Sequence, residues 1–279
     1  MGTAHPGEDT IWIQVNAALF PATAEQPFVP WSALATTVER WRADGYFARF
    51  YFVRKPPGLR LRFGGPDLGE RLEPALTTWL SAAERRNDIR GFRFTGYEPE
   101  RRRFGGKTGM GIAHDLFDAD AALALRFEAG AASSDQDPPV SRRLLSLAIC
   151  QDLFTRSLDD GAEVWDVWKG LEEAVGGAAG VPFRPDPAVV GEVRAFLAAP
   201  GPAASAVLDP ARVANARVSA ALRAAVSAGR LSRGPRRWLT AAAVFHWNRW
   251  GLPLELPLLG SCVAAMAEST QPDGVRIRP

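Results

Sequence analysis

The sequence predicts an α+β fold in which a mixed, largely antiparallel sheet is covered by helices. Three observations carry that expectation. Strand-like alternation is confined to roughly the first hundred residues, apolar spacing at the helical period dominates afterwards, and no dinucleotide-binding glycine fingerprint marks a repeating strand–helix–strand unit.

The elements follow in order. Ile11 to Phe20 alternates as a strand, with Trp12, Gln14 and Asn16 facing one way and Ile13 and Val15 the other. A proline-punctuated loop to Pro30 leads into a helix over Trp31–Asp44, with Leu34, Val38 and Trp41 on one stripe and Gly45 ending it. Two strands, ARFYFVR and LRLRF, flank a Pro-Pro-Gly turn. A helix over Leu68–Glu84 and a strand over Ile89–Thr95 follow. After Gly105-Gly106 a helix covers Ile112–Phe127, and a polar break spans Ala131–Pro139. Arg142–Leu158 is helical, with Leu145, Ile149 and Leu153 aligned. Gly176–Pro187 reads as loop and Pro200–Pro210 as an Ala/Pro/Gly linker. Helices over Arg212–Ala228 and Leu239–Trp250 are separated by a basic connection containing Arg230, Arg233, Arg236 and Arg237. The breaks are short, so a single domain over 1–279 is expected, its core at about 12–260 and its tails flexible.

Composition narrows the function classes. The chain is 47% hydrophobic and 23% charged, with a net charge of +2, too little for a nucleic-acid binder that works by bulk charge. Cys150 and Cys262 lie in apolar surroundings and read as small buried residues. With only His5, His114 and His246, and neither CxxC nor HExxH, no metal site is expected. The start lacks a basic region followed by an apolar stretch, and no run is long enough to cross a bilayer, so the cytoplasm is the expected compartment.

Three segments carry candidate chemistry. In LRLRF, Arg60 and Arg62 share one strand face, their side chains about 7 Å apart along it. The pair reads either as an ordinary solvated face or as guanidiniums that hold a carboxylate, a carbonyl or an oxyanion, with Arg54 extending the patch. In YEPERRRFGG, Glu100 and Arg103 are spaced for a salt bridge across one turn, and Tyr97 offers a phenol; a charged surface turn is the alternative. The GGKT that follows lacks the earlier glycine of a phosphate-binding loop. In VFHWNRW, His246 shares a helix face with Arg249 and Trp250, and Trp247 and Trp250 would suit a heteroaromatic substrate. The competing reading is a histidine bonded inside a helix interface. His114 reads as a packing or surface residue. Taken together, these groups suit proton transfer and oxyanion stabilisation on a carbonyl-rich substrate such as a peptide.

The segments FYFVRKPPGLRLRF, YEPERRRFGGKTGMGIAHDLFDAD and FHWNRWGL resemble, in that order, the C-terminal elimination domain of lantibiotic dehydratases, which also occurs as a free-standing thiopeptide biosynthesis protein. The likeness runs from about Trp12 to Gly260. It implies a site in which Arg60 and Arg62 match the family's arginine pair, Glu100 and Arg103 its Glu/Arg motif, and His246 its late histidine. In elimination members that site removes glutamate from glutamylated Ser or Thr. The chain departs at two places, carrying Leu59 and Val244 where those members have histidines. The related thiopeptide pyridine synthases join two dehydroalanines of a linear, azole-bearing precursor in a formal aza-[4+2] cycloaddition, then lose water and the leader peptide. The missing histidines and the Trp247/Trp250 pair resemble this second class more closely. The resemblance thus implies a cofactor-independent pyridine synthase with Tyr97 as a proton donor, acting on a ribosomally made precursor of leader plus modified core. Other enzymes of the pathway would be further partners, and arginines among Arg230–Arg237 would steer an acidic leader. Glutamate elimination and a non-catalytic peptide-binding subunit are the alternatives.

Overall fold

The structure is a computed structural model, and it describes residues 10–20, 30–132, 140–176, 186–252 and 263–265. His5, Cys262, the loop before Pro30, most of the expected break before Pro139 and loop before Pro187, and both tails lie outside the described residues. Backbone packing divides the chain into two compact units. The first comprises residues 1–99 and 120–137, and the second 100–119 and 138–279.

The first unit contains β1 (Trp12–Ala18), α1 (Trp31–Ala43), β2 (Arg49–Lys55), β3 (Gly58–Gly64), α2 (Glu73–Arg85) and β4 (Gly91–Thr95). The strands form one antiparallel sheet in the order β2-β3-β1-β4. This βαββαβ path, with β3 inserted between β1 and β2, is the split-βαβ, ferredoxin-like arrangement. The two-residue Pro56-Pro57 connection sets Lys55 opposite Gly58, and so Tyr51 opposite Arg62 and Val53 opposite Arg60. Phe50, Phe52, Leu61, Phe63 and Val15 thereby share one face, all buried, and α1 covers it through Trp31 against Phe52 at 5.5 Å and Trp41 against Phe63 at 6.4 Å.

The expected helix over Leu68–Glu84 is broken at its start. Leu68–Leu72 is a π-helical turn, and α2 begins at Glu73 with Pro74 in its first turn, where the missing proline N–H is least costly.

The second unit is helical. The first half of α3 (Lys107–Ala132) belongs to it, together with α4 (Arg142–Ser157), α5 (Gly161–Gly176), α6 (Pro187–Ala198), α7 (Pro202–Ser227) and α8 (Pro235–Arg249). The expected Pro200–Pro210 linker is corrected here, because α7 starts at Pro202 and runs straight through Pro210. The segment is alanine-rich, Pro202 sits where a helix tolerates proline, and Ala204, Leu208 and Ala211 are buried, which offsets the backbone bond that Pro210 forfeits. Two further helices were not expected. α5 carries Val164, Val167, Trp168 and Leu171 on one buried stripe, and α6 is capped by the Asp186 side chain, which accepts from the Ala188 N–H at 2.8 Å. α4 packs on α7 and α5 on α8, around Phe154, Trp168, Trp238 and Trp247. Cys150 is buried on α4. No helix among the described residues is long and apolar enough to cross a membrane.

Candidate functional site

In the first unit, the sheet face opposite the aromatic core is polar. Cross-strand register puts Tyr51, Arg62, Gln14 and Thr95 in one row and Val53, Arg60, Asn16 and Arg93 in the next. In the first row the Arg62 Nε donates to Gln14 Oε1 at 2.7 Å, and its Nη1 donates to the Tyr51 hydroxyl at 2.9 Å. The Tyr51 hydroxyl in turn donates to the Tyr97 hydroxyl at 2.9 Å. Gln14 uses its amide to reach Thr95 Oγ1 at 2.8 Å and Asn16 Oδ1 at 3.2 Å.

The guanidinium of Arg62 also lies over two rings, Tyr97 at 4.8 Å and Tyr51 at 5.2 Å. Trp12 closes this box, its ring centroid 5.1 Å from Tyr97 and 5.7 Å from Tyr51. Its partner in the register is Gly64, and any side chain there would come within 2.9 Å of the Trp12 ring. Arg62 is therefore only 9% exposed, a buried cation satisfied by amide, phenol and ring faces. Arg60 and Arg62 do share a face, but they are not equivalent: Arg60 is half-exposed and makes no hydrogen bond or ion pair among the described residues.

Arg54 does not extend this patch. Register places it opposite Leu59, on the other face of the sheet, where it pairs with Glu128 of α3 at 2.5 Å and lies over Trp31 at 4.5 Å. One residue of phase separates the two faces, and the aromatic run Phe50/Phe52 fixes that phase. Leu59 is likewise buried on the core face.

The remaining candidates belong to the second unit. Glu100 and Arg103 form the expected one-turn pair, with Arg103 Nη1 to Glu100 Oε2 at 3.0 Å. The Glu100 carbonyl accepts from the Arg103 and Phe104 N–H groups, which closes the turn. Both side chains are about half exposed, and the Arg103 guanidinium lies 5.7 Å from the Phe245 ring centroid. The glycines after this turn are required by geometry. Gly105 has φ +75° and packs so closely on the Ser232–Arg233 backbone that a Cβ would lie 3.2 Å from the Arg233 nitrogen.

His246 is buried on α8, its Nε2 2.8 Å from the hydroxyl of Ser146 on α4 and its ring 5.3 Å from Trp250. That is the helix-interface arrangement. Trp247 and Trp250 are 5% and 1% exposed, and Arg249 is fully buried over Phe117 at 4.5 Å. Trp247 packs near Trp168 at 6.4 Å and the Trp250 ring lies against His246, so both indoles are buried among helices of the second unit rather than exposed on its surface. His114 is buried on α3, in keeping with a packing residue. No group of three or more His, Cys, Asp or Glu side chains is placed to hold a metal among the described residues.

Sequence spacing missed Tyr51, Gln14, Trp12, Asn16 and Arg93. For Tyr51 a signal existed, since a two-residue turn after Lys55 sets it opposite Arg62. The others depend on which strand neighbours β3 across the sheet, which spacing along the chain does not encode.

The profile of a family described as the lantibiotic biosynthesis dehydratase C-terminal domain matches residues 12–256. No curated protein sequence matches the chain. Among solved structures, the tRNA-dependent lantibiotic dehydratase MibB from Microbispora sp. 107891 superposes with a TM-score of 0.68 at 20% identity. That alignment covers 96% of this chain and 29% of the MibB chain, so the protein spans less than a third of that relative. TsrL superposes with a TM-score of 0.52 at 14% identity, covering 95% of this chain and 99% of TsrL. At these identities the likeness is one of fold.

Proposed function

Because the chain belongs to the lantibiotic biosynthesis dehydratase C-terminal family, we propose that it modifies a ribosomally made precursor peptide, and that its reaction is the aza-[4+2] closure of a pyridine-centred macrocycle. One dehydroalanine, through the imidic-acid tautomer of its preceding amide, supplies a C=N–C=C unit. The alkene of a second dehydroalanine adds across the two terminal carbons of that unit, forming two C–C bonds that close a six-membered ring containing the amide nitrogen. Loss of water and expulsion of the leader as its carboxamide then aromatise the ring.

The observation that carries this reading is that the positions matched to the family are rich in hydrogen-bond donors and poor in bases. Leu59 and Val244 stand where elimination members have histidines, His246 is bonded to Ser146 inside a helix interface, and Glu100 is held by Arg103. Removing a Cα proton from a glutamylated residue requires a positioned base. Favouring an imidic acid and assisting two departures requires hydrogen-bond donors, which the Arg62–Tyr51–Tyr97 chain would supply. Folding the substrate so that its two alkenes meet would provide the larger share of the acceleration. The reading needs no cofactor. Substrate contacts by Arg60, Tyr97 and Arg103 belong to this proposal.

A second reading, glutamate elimination, is favoured by the retained Arg60/Arg62 pair and the intact Glu100–Arg103 turn. Mass spectrometry after incubation with two peptides separates them. A dehydrated, azole-bearing precursor should yield a macrocycle and free leader. If it returns unchanged while a glutamylated Ser peptide loses glutamate, the elimination reading replaces ours. Binding of both without turnover would leave a non-catalytic peptide-binding subunit.

A further inference from the structure

The polar sheet face holds a second feature, one step along from the Arg62 row toward the β2–β3 hairpin. Arg60, Asn16 and Arg93 stand side by side on β3, β1 and β4. The following row is Lys55, Gly58, Ala18 and Gly91, which is almost bare of side chains. The step from long cationic residues to glycine and alanine hollows the surface into a cavity of about 290 Å³, lined by Lys55, Arg60, Arg93 and Asn16 above a floor that includes Gly58 and Gly91.

No carboxylate lines this cavity. Arg54, Arg86 and Arg126 of the same unit each meet an acid within 3.2 Å, whereas Lys55, Arg60 and Arg93 make no ion pair among the described residues. Three uncompensated cations converge on one hollow in a chain whose net charge is only +2. Adjacent strands lie about 4.8 Å apart, so Arg60 and Arg93, two strands apart, present guanidiniums over a span of roughly 10 Å. Planar donors at that separation suit two carboxylates carried on one chain.

We propose that this groove docks an acidic peptide segment, two of its Asp or Glu side chains being taken by Arg60 and Arg93 with Lys55 at the rim. The inference rests on the reading of the protein as a peptide-modifying enzyme and names the part of the substrate it holds. A cavity of about 290 Å³ accommodates two side chains. A polynucleotide would call for a longer basic track. Asn16 joins the groove to the Arg62 cluster through its bond with Gln14 at 3.2 Å, so a docked segment would lie next to that cluster.

Fluorescence anisotropy with the full chain tests this by binding alone. The probes are a labelled Asp/Glu-rich 15-residue peptide, its Asn/Gln counterpart, and a single-stranded RNA of equal charge. The acidic peptide should bind, weaken steadily with added salt, and lose about tenfold in affinity with Arg93→Glu and again with Lys55→Glu. Arg223→Glu, the same charge change on an exposed α7 position, should alter affinity less than about twofold. Circular dichroism confirms that each variant is folded, and the two charge reversals sit on different strands, so one failing to fold leaves the other. Equal binding of the amide peptide, equal loss with Arg223→Glu, or tighter binding of the RNA would overturn the proposal. Because no turnover is measured, loss of binding specificity counts against the groove, whereas a precursor that binds but returns unreacted counts against the catalytic reading.

Discussion

Tyr51 accepts a hydrogen bond from buried Arg62 and passes one on to Tyr97, each at 2.9 Å, so a residue that contributes no charge links the arginine of the candidate site to its phenol. Removing that hydroxyl should therefore be felt twice. Tyr51→Phe leaves one Arg62 N–H buried without this acceptor, at a cost of about 1–3 kcal/mol, measurable by urea unfolding. It also removes the hydroxyl that donates to Tyr97, and turnover of the dehydrated precursor should fall by about tenfold, the equivalent of ~1.4 kcal/mol in the barrier.

Arg103→Ala should show the opposite balance. Its pair with Glu100 is half exposed on both sides, and such pairs contribute about 0–1 kcal/mol. Unfolding should hardly change. Product formation should drop at least about tenfold if the turn touches substrate, as the proposed function requires. Unchanged turnover would make the pair a surface staple of the turn.

At the α4–α8 contact, Ser146→Ala leaves His246 Nε2 buried without its hydroxyl partner. The expected loss is about 1–3 kcal/mol, read by chemical denaturation, with Ser146→Thr recovering part of it. A change below about 0.5 kcal/mol would mean that His246 does not depend on this bond.

Trp247→Ala should cost about 3–5 kcal/mol, the range for an aromatic side chain removed from a packed core. A ring that lined an open substrate pocket would cost far less. Thermal melts of Trp247→Ala and Trp247→Phe, compared with wild type, distinguish the two.

Glu128→Gln probes the far side of the sheet. The carboxylate is buried and bonded to Arg54, which is itself partly exposed. Neutralising it should cost about 1–3 kcal/mol, below the value for a fully buried pair, without altering the peptide chemistry assigned to the opposite face. A matching loss of turnover in folded protein would show that Arg54 does act with Arg60 and Arg62.

Much of this was legible in the chain. Alternation in ARFYFVR and LRLRF identified both hairpin strands, and Leu59, Leu61 and Phe63 are buried as their phase demands. The one-turn Glu100–Arg103 pair followed from spacing alone. What escaped was information held between strands rather than along them. Arg60 and Arg62 are indistinguishable in sequence, yet one is boxed by Gln14, Tyr51 and Tyr97 while the other opens on a cavity. Among the helices, prolines misled: Pro200–Pro210 has the composition of a linker, but Pro202 starts α7 and buried contacts along the helix carry it through Pro210. For Trp247 and Trp250, a helical stripe beside a histidine suggests a pocket as readily as a core, and only the packed helices show that both rings are buried.

The sheet unit is discontinuous in the chain: it is left at Pro99 and resumed at Asp120, and the resumed stretch brings Glu128 to Arg54. A ribosome that has released the first hundred residues has therefore delivered all four strands but not the acid that meets Arg54. Strand pairing can begin early, while completion of that unit waits until part of the helical one has been synthesised. A fragment ending at Pro99 would carry the whole sheet but not Glu128, and so would lack the ion pair that ties Arg54 on the core side of the sheet to α3.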